Sequence, residues 1–338
     1  MTVFVKLRGD RRADGSSSND RYSHESILAS ELVRVLVLES SSVRWPSAEI
    51  EVSADLVEQL VQSQHPDLIN AGIREMTPGF DNTIWRLGDN LVVRLPRRQV
   101  AVALMRNEQR WLPELAHRLP LAIPTPIRVG RPSELFPWPW TIAQWIEGSP
   151  GNRVDPTVLA GAAIPLGTFF RALHRDAPVD APTNEFRSVP LRSHESNFHG
   201  RLDEVGPAID RDGVARIWEV SLSAAPWIGA SQWIHGDPHP ANLIIRDDAL
   251  VGVIDFGDLC AGDPATDLAG GFLALPLASI DDFLCSYGRI DDATIQRTLG
   301  WAVHFGLMFV LLGESDEPSY GPIGHRGIAN ALAFARTN

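Results

Sequence analysis

The stretch that decides the fold is WIHGDPHPANLII at residues 233–245, followed by VIDFGD at residues 253–258. Two consecutive aspartates, Asp247 and Asp248, lie between these motifs, with apolar residues on both sides. Apolar runs that flank a short polar pair are typical of a β-hairpin. The sequence therefore predicts a hairpin that turns at the two aspartates and carries one motif on each strand.

The predicted strands, residues 243–246 and 250–254, place two oxygen-bearing side chains side by side. With a turn at residues 247–248, facing residues lie roughly 4.5–5.5 Å apart, and Asn242 and Asp255 converge at the open end of the ribbon. Both offer the hard oxygen ligands that Mg²⁺ prefers, and Mg²⁺ commonly takes only one or two protein oxygens plus substrate phosphates. We therefore expect Asn242 and Asp255 to be metal ligands.

A third carboxylate precedes this pair. Asp237 lies on the loop before Asn242, close to the expected ion without needing to bind it. A carboxylate there can accept the proton of an attacking hydroxyl while the metal neutralises charge on a transferred phosphoryl group. The pattern predicts phosphoryl transfer with Asp237 as the catalytic base.

Two other interpretations remain open from these residues. Each carboxyl or amide group can simply cap a turn, and His235, Asp237 and His239 have the spacing of an H-x-D-x-H transition-metal site. Regular strand geometry, which would point the three side chains to one face, is disfavoured by prolines on both sides of His239. His235 follows two apolar residues and is expected to pack or hydrogen-bond locally.

Composition excludes several classes of protein. The single lysine, Lys6, removes a Walker A loop and a pyridoxal phosphate Schiff base, so cationic roles fall to arginine or histidine. The net charge of −12 comes entirely from residues 146–338, which disfavours a nucleic-acid partner, although ordinary solubility charge explains it equally well. Two cysteines, a polar N-terminus and no apolar run of about 18 residues predict a cytoplasmic protein without membrane spans.

Three regions follow from the patterning. Residues 1–45 include a polar Gly/Ser-rich run and are expected to be a disordered extension, or to precede a true start near Val43. Residues 46–146 alternate helix and strand patterns and predict a small mixed lobe. Residues 147–338 begin with a linker and are mainly helical, so the expected fold class is α+β with two lobes. The second region is predicted to contain one helix that begins at Ser53 and a second helix over residues 100–118. Its predicted strands are residues 73–77, 83–87, 91–95, 127–129 and 140–146. In the third region the predicted helices are 157–175, 207–224, 265–275, 280–287, 292–312 and 327–335.

The two motifs resemble the catalytic loop and metal-binding motif of the aminoglycoside phosphotransferase family, antibiotic kinases with a protein-kinase-like fold. The resemblance covers roughly residues 55–335. It implies ATP or GTP as co-substrate and Mg²⁺ as cofactor, with Asp237 matching the catalytic aspartate and Asn242 and Asp255 matching the metal ligands. Within DPATDLA (263–269), Asp267 is expected to bond the loop backbone.

The small lobe extends the resemblance. The strand containing Arg94 corresponds to the one that usually carries a phosphate-pairing lysine, and Glu108 would pair with this cation. Arginine is planar and bidentate where lysine is a point charge, so the exchange is not neutral. Adenine would be bound by backbone groups of Gln144, Trp145 and Ile146.

The implied function is transfer of the γ-phosphoryl group to a hydroxyl of a small molecule, such as an aminoglycoside or another antibiotic. A kinase of a non-antibiotic metabolite and a nucleotide-binding pseudoenzyme or sensor are the alternatives. A protein kinase is disfavoured because only residues 258–262 separate the DFG motif from the next helix start, and because Gly236 stands where protein kinases carry arginine. The acidic residues Glu314, Asp316 and Glu317 can line a pocket rim or form a solvated loop. The sequence does not indicate an oligomeric state.

Overall fold

A computed structural model describes residues 47–76, 79–315 and 317–337, and it confirms the predicted α+β fold with two lobes. The first lobe is a five-stranded antiparallel sheet in the order β1-β2-β3-β5-β4, with two helices packed against it. The strands are β1 (Ile73–Glu75), β2 (Asn82–Leu87), β3 (Leu91–Pro96), β4 (Pro126–Gly130) and β5 (Trp140–Gln144), and the helices are α1 (Ala54–Gln64) and α2 (Ala101–Ala116).

Helix α1 begins where the sequence predicts, because the Ser53 hydroxyl accepts a hydrogen bond from the N–H of Leu56 at 3.2 Å. Its apolar positions at helical spacing, including Leu60, are buried against Trp85 and Trp140 of the sheet. This packing forms the core of the first lobe, which is separate from the larger core of the second lobe.

The second lobe is mainly helical and contains two small sheets. Its strands are β6 (Ser149–Pro150), β7 (Gln232–Ile234), β8 (Leu243–Arg246), β9 (Ala249–Val253) and β10 (Cys260–Gly262). One sheet pairs β10 with β7, and the other has the order β6-β8-β9. Its helices are α3 (Ala163–Leu173), α4 (Glu195–Glu204), α5 (Arg211–Ser223), α6 (Ala265–Ala274), α7 (Ile280–Tyr287), α8 (Asp292–Glu314) and α9 (Gly321–Thr337).

Helix α8 forms the centre of this lobe. In the described part of the chain it is the one helix long and apolar enough to cross a membrane, but 72% of its apolar window is buried inside the protein. It contacts α5, α6 and α9, and its buried side chains include Trp301, Phe305 and Phe309. These contacts are those of a core helix.

The observed helices differ from the predicted ones in position and in number: α5 begins at Arg211 rather than at 207, and α9 begins at Gly321 rather than at 327. The predicted helix over 157–175 is a 3₁₀ turn at Val158–Ala162 followed by α3, because Pro165 is tolerated only in the first turn of an α-helix. Helix α4 was not predicted, since only Phe198 and Leu202 form its buried apolar side. The expectation for residues 1–45 lies outside the described residues.

The predicted hairpin is β8–β9, and it turns at Asp247 and Asp248, whose φ angles of 51° and 60° are those of a type I′ turn. A register shift between Ile244 and Ile245 moves the pairing by one residue toward the open end. Leu243 therefore faces Val253 and brings the two motif ends together as expected.

Two segments near the boundary between the lobes bind this hairpin. On one side β6 pairs with β8, with Ser149 opposite Ile245. On the other side Ala122, in the segment after α2, donates to Val251 O at 3.2 Å and accepts from Val253 N at 3.0 Å. The hairpin is thus fixed from both flanks.

Candidate active site

The loop before β8 is held by a buried carboxylate from α6. The backbone N–H groups of His235 and Gly236 donate to the two carboxylate oxygens of Asp267, at 2.6 and 2.8 Å. His174 Nε2 lies 3.0 Å from the same carboxylate, and its Nδ1 lies 3.0 Å from the Tyr287 hydroxyl. Asp267 and His174 therefore shape the loop from behind, as expected for Asp267 from the sequence.

His235 points into the protein and away from any metal site. Its Nδ1 accepts from the backbone N–H of Asp237 at 3.2 Å, and its Nε2 lies 3.0 Å from the carbonyl oxygen of Ile254. Both ring nitrogens are thus used to connect the loop to the hairpin. In the described part of the chain no group of three or more His, Cys, Asp or Glu residues is placed to bind a metal. The His-Asp-His alternative is wrong for these residues.

Asp237 is half-buried and contacts a partner at each carboxylate oxygen. His239 Nε2 lies 3.3 Å from Oδ2, and Arg187 Nη2 lies 3.9 Å from Oδ1. Burial acts to raise the pKa of Asp237, but the charges of His239 and Arg187 outweigh burial and hold this pKa below its ordinary value. Asp237 is therefore a carboxylate at neutral pH.

Asn242 and Asp255 lie next to this carboxylate. The Asn242 side-chain amide donates to the backbone oxygen of Asp237 at 2.9 Å, which leaves the amide oxygen as the acceptor. The backbone oxygen of Asn242 accepts from Ile254 N at 2.9 Å, so Asp255 follows directly beside Asn242. The predicted convergence of Asp237, Asn242 and Asp255 is thus present in the fold.

Asp255 is an unusual carboxylate in its backbone and its surroundings. It has a φ of 62°, in the left-handed region that non-glycine residues seldom adopt. More than a third of the residue's surface is accessible to solvent, yet burial of the carboxyl raises the pKa of Asp255 to about 6. Arg94 opposes the rise, while Asp237, Glu108 and Asp81 add to it. Carboxylates are therefore crowded here.

Arg94 and Glu108 form the predicted pair. Arg94 on β3 and Glu108 on α2 are both buried, and the guanidinium contacts both carboxylate oxygens, with Nη2 donating to Oε1 at 3.0 Å. The pair is bidentate, a geometry that lysine cannot provide. It ties the helix to the sheet beside Asp255.

A second arginine of the small lobe, Arg98, is also buried. Arg98 is 3% exposed, its Nη2 lies 3.2 Å from Asp81 Oδ1, and its guanidinium lies 5.1 Å from the ring centroid of Phe80. The turn that precedes β2 is held down by this pair, so Asp81 lies close to Asp255.

The chain between the lobes places two of the three predicted hinge N–H groups in protein hydrogen bonds. Gln144 N donates to Thr125 O at 3.4 Å, and Trp145 N donates to Asn90 O at 2.8 Å. The indole of Trp145 donates to Glu147 at 2.7 Å and stacks on Arg86 at 4.1 Å. The N–H of Ile146 is the hinge donor that no described backbone oxygen accepts.

Sequence reasoning missed the residues that reach Asp237 from distant segments. Arg187 lies between α3 and α4, and Tyr320 lies on the turn between α8 and α9. Burial raises the pKa of Tyr320, and Asp237, Asp255 and Glu317 add to the rise, which places the phenol near these carboxylates. The Tyr320 ring stacks on Phe309, with centroids 5.5 Å apart. No local spacing in the sequence could have indicated these approaches.

The sequence matches the phosphotransferase enzyme family (APH) over residues 72–295. The chain belongs to this family, and it is an enzyme of the small-molecule phosphotransferase (kinase) class. No curated protein sequence matches the chain.

Several solved structures share the fold at low sequence identity. A GDP and kanamycin complex of an APH(2") enzyme is 19% identical with a TM-score of 0.61, and the match covers 82% of this chain and 98% of that one. The macrolide 2'-phosphotransferase MphH from Brachybacterium faecium is 22% identical with a TM-score of 0.54, over 82% and 98% of the two chains. A streptomycin and ATP ternary complex of an APH(2") enzyme is 19% identical with a TM-score of 0.51, over 80% and 95%. These similarities establish the two-lobed kinase-like architecture.

Proposed function

We propose that the protein transfers the γ-phosphoryl group of ATP or GTP, bound as a magnesium complex, to a hydroxyl group of a small molecule. The observation that carries this proposal is the convergence of Asp237, Asn242 and Asp255, within electrostatic reach of the buried Arg94–Glu108 pair. Phosphoryl transfer is catalysed mainly by positioning and charge neutralisation, and this set of residues is suited to both.

The donor set beside Asp255 fits a magnesium ion. Burial raises the pKa of Asp255, nearby carboxylates add to the rise, and a divalent cation would relieve the repulsion among them. Asn242 offers a second hard oxygen because its amide nitrogen is already engaged. Since Mg²⁺ keeps several waters, one or two protein oxygens are enough to hold it. When bound, the ion would neutralise charge on the transferred phosphoryl group.

Asp237 would act on the acceptor hydroxyl. Its lowered pKa keeps it ionised, so it orients the hydroxyl by accepting its hydrogen bond and takes the proton once the O–H bond has weakened. With Oδ1 beside Arg187 and Oδ2 beside His239, the carboxylate is already oriented before the acceptor arrives.

The small lobe would hold the nucleotide. Arg94, fixed by Glu108, presents a permanent positive charge beside Asp255, where the phosphates would lie. The carbonyl of Gln144 and the N–H of Ile146 are the hinge groups we assign to the base. The N–H of Trp145 is excluded from this role, because Asn90 already accepts it.

The acceptor is expected to be a hydroxylated ring compound. Tyr320 and Phe309 form an aromatic wall beside Asp237, of the kind on which sugar or macrocycle rings pack. The negative charge of residues 146–338 suits a polycationic aminoglycoside. Aminoglycosides and macrolides, named with the similar structures, are therefore the first acceptors to test.

The test is an acceptor screen with the purified full-length chain. Consumption of ATP or GTP with Mg²⁺ is measured against aminoglycosides, macrolides and hydroxylated metabolites, and the phosphorylated product is identified by mass spectrometry. We expect Asp237→Asn to abolish transfer while nucleotide affinity stays nearly unchanged, and Asp255→Ala to lose productive nucleotide binding as well. Asp248→Asn, at the exposed hairpin turn, is the matched control.

Two results would contradict the proposal. Normal turnover by Asp237→Asn would remove Asp237 as the base. Nucleotide binding by the unmodified chain without turnover across the whole panel would favour a nucleotide sensor instead.

A further inference from the structure

A buried arginine from a distant segment occupies the space left by a missing side chain in the catalytic loop. Gly236 precedes Asp237 with a φ of 86°, and a Cβ there would lie 2.7 Å from the backbone oxygen of Asp258 and 3.2 Å from Cγ of Arg187. The aliphatic part of the Arg187 side chain thus packs closely against the position that the Cβ of any other residue would occupy.

The environment of Arg187 fixes its guanidinium on three sides. Nη2 lies 3.6 Å from Asp258 Oδ2, and the guanidinium carbon lies 4.8 Å from the ring centroid of Phe305 on α8. Asn184 links the two segments, because its side-chain amide donates to Asp258 at 3.0 Å and its side-chain oxygen accepts from the Arg187 backbone N–H at 3.2 Å. A long flexible side chain is therefore held in a single place.

The guanidinium has capacity left beyond these anchors. Arg187 is 7% exposed, and its Nε has no hydrogen-bond partner among the described residues. Its Nη2 stands 3.9 Å from Asp237 Oδ1, too far for a full hydrogen bond but close enough for a strong interaction between two partly desolvated charges. A buried cation with an unpaired donor costs free energy. Its presence beside the catalytic carboxylate therefore points to a functional role.

We propose that Arg187 is a positioning residue for phosphoryl transfer: it holds Oδ1 of Asp237 so that the carboxylate meets the acceptor hydroxyl in one orientation. The inference rests on the proposed function, because it assigns Asp237 as the base. Arg187 acts from the side of the second lobe, where Asp258 and Phe305 hold its guanidinium. Its contribution therefore belongs to turnover rather than to nucleotide binding.

The test compares Arg187→Ala with Arg187→Lys, using Arg192→Ala as the matched control. Arg192 is an exposed arginine in the same segment, and its partners among the described residues are Glu195 and the carbonyl of Leu222 near a helix end. We expect Arg187→Ala to lower kcat by about 10²-fold, the usual loss when a reacting group is misplaced, with KM for the nucleotide within about 3-fold of the unmodified value. Arg187→Lys keeps the charge but not the fork, and should retain part of kcat.

Chemical rescue separates positioning from structural support. Millimolar guanidinium chloride should restore at least tenfold of the kcat lost in Arg187→Ala, whereas urea, a neutral planar molecule of the same size, and sodium chloride should not. If Arg187→Ala does not fold, Asp258→Asn, which loosens the anchor of the guanidinium, should lower kcat about tenfold at unchanged nucleotide KM.

The outcomes distinguish this inference from the proposed function. Turnover by the unmodified chain together with undiminished kcat in both Arg187 variants, or equal rescue by urea, would overturn the role of Arg187 alone. Absence of turnover by the unmodified chain on every acceptor would overturn both.

Discussion

Asp255 combines a left-handed backbone with a carboxyl whose pKa is raised by burial and by neighbouring carboxylates. Its φ of 62° and its raised pKa both cost free energy in the ligand-free protein. Strain of this kind persists where the surrounding structure imposes it, and here the hairpin end and the neighbouring carboxylates do so. We therefore expect a cation bound beside Asp255 to offset part of this cost.

A substitution at Asp255 should separate stability from binding. The pKa of Asp255 in the folded chain, about 6, lies above that of an unfolded aspartate. Its contribution to stability is thus present at low pH and is lost as the pH rises through about 6. In EDTA, Asp255→Asn should melt at a higher temperature than the unmodified protein at pH 7.5, with the difference shrinking toward pH 4. Melting curves across this pH range test the expectation, and a constant difference would contradict it.

Two glycines make a matched pair at the residue scale. An alanine Cβ at Gly236 would collide with Asp258, and its φ of 86° is unfavourable for alanine, whereas a Cβ at Gly200 on α4 would meet nothing within 4 Å. We expect Gly236→Ala to lower both turnover and stability. Gly200→Ala should raise the free energy of unfolding by roughly 0.5–1 kcal/mol. Urea unfolding of both variants is the measurement, and equal effects would contradict the geometry described for the loop.

At the level of elements, the buried ion pair of Arg94 and Glu108 links strand β3 to helix α2 within the small lobe. The sequence alone indicated Arg94 and Glu108 only through resemblance, because 14 positions separate them and no periodicity links them. Their pairing is a contact between two elements that pack side by side. The desolvation cost of burying two charges offsets much of their attraction. The pair therefore contributes more to the placement of the Arg94 guanidinium than to the stability of the fold.

Removing one or both partners should show this difference. Glu108→Ala leaves a buried guanidinium uncompensated and should lower the free energy of unfolding by about 3 kcal/mol. The double variant Arg94→Met with Glu108→Leu fills the same space with apolar groups and should recover most of that stability, yet bind nucleotide poorly. Urea unfolding and nucleotide titration measure the two effects. Unimpaired nucleotide binding by the double variant would contradict the role of Arg94.

What the sequence could predict follows from distance along the chain. The hairpin places Asn242 beside Asp255 through local turn chemistry, so these positions were accessible from spacing alone. Arg187, Asp81 and Tyr320 approach the same site from segments that carry no shared periodicity. Helix α4 escaped prediction for a related reason, because two buried apolar residues, Phe198 and Leu202, are too few to establish a helical pattern. Local patterns thus gave the core of the site, and tertiary packing supplied its surroundings.

At the scale of the whole molecule, the second lobe encloses a histidine pair in its core. The rings of His194 and His304 lie 4.7 Å apart, near Trp301 of α8. Burial lowers the pKa of His194 to about 4, with Arg187 and Arg201 adding to the decrease and the carbonyl of Phe186 opposing it. Burial likewise lowers the pKa of His304. Neither ring can be protonated without disturbing the lobe.

Because of this histidine pair, acid should begin to destabilise the protein as the pH falls below about 6.5. Because the unfolded chain binds protons to histidine at about 6.5 and the folded chain does not until about 4, stability falls as pH falls through this interval. His194 alone accounts for about 3 kcal/mol of the loss. His194→Gln should flatten the dependence measured by urea unfolding between pH 7 and 4.5, and His199→Gln, an exposed neighbour on α4, should leave it unchanged. Parallel curves for all three proteins would contradict this account.

The backbone pairing of Ser149 and Ala122 with the hairpin limits how the two lobes can move relative to each other. Ser149 pairs with one edge of the β8–β9 hairpin and Ala122 with the opposite edge, each through backbone hydrogen bonds. If the small lobe rotated about these two segments, either the hydrogen bonds would break or Asn242 and Asp255 would move with the lobe. Opening and closing of the cleft must therefore come from movement of the first lobe's sheet and its turns. The hairpin end beside Asn242 and Asp255 stays fixed during this movement.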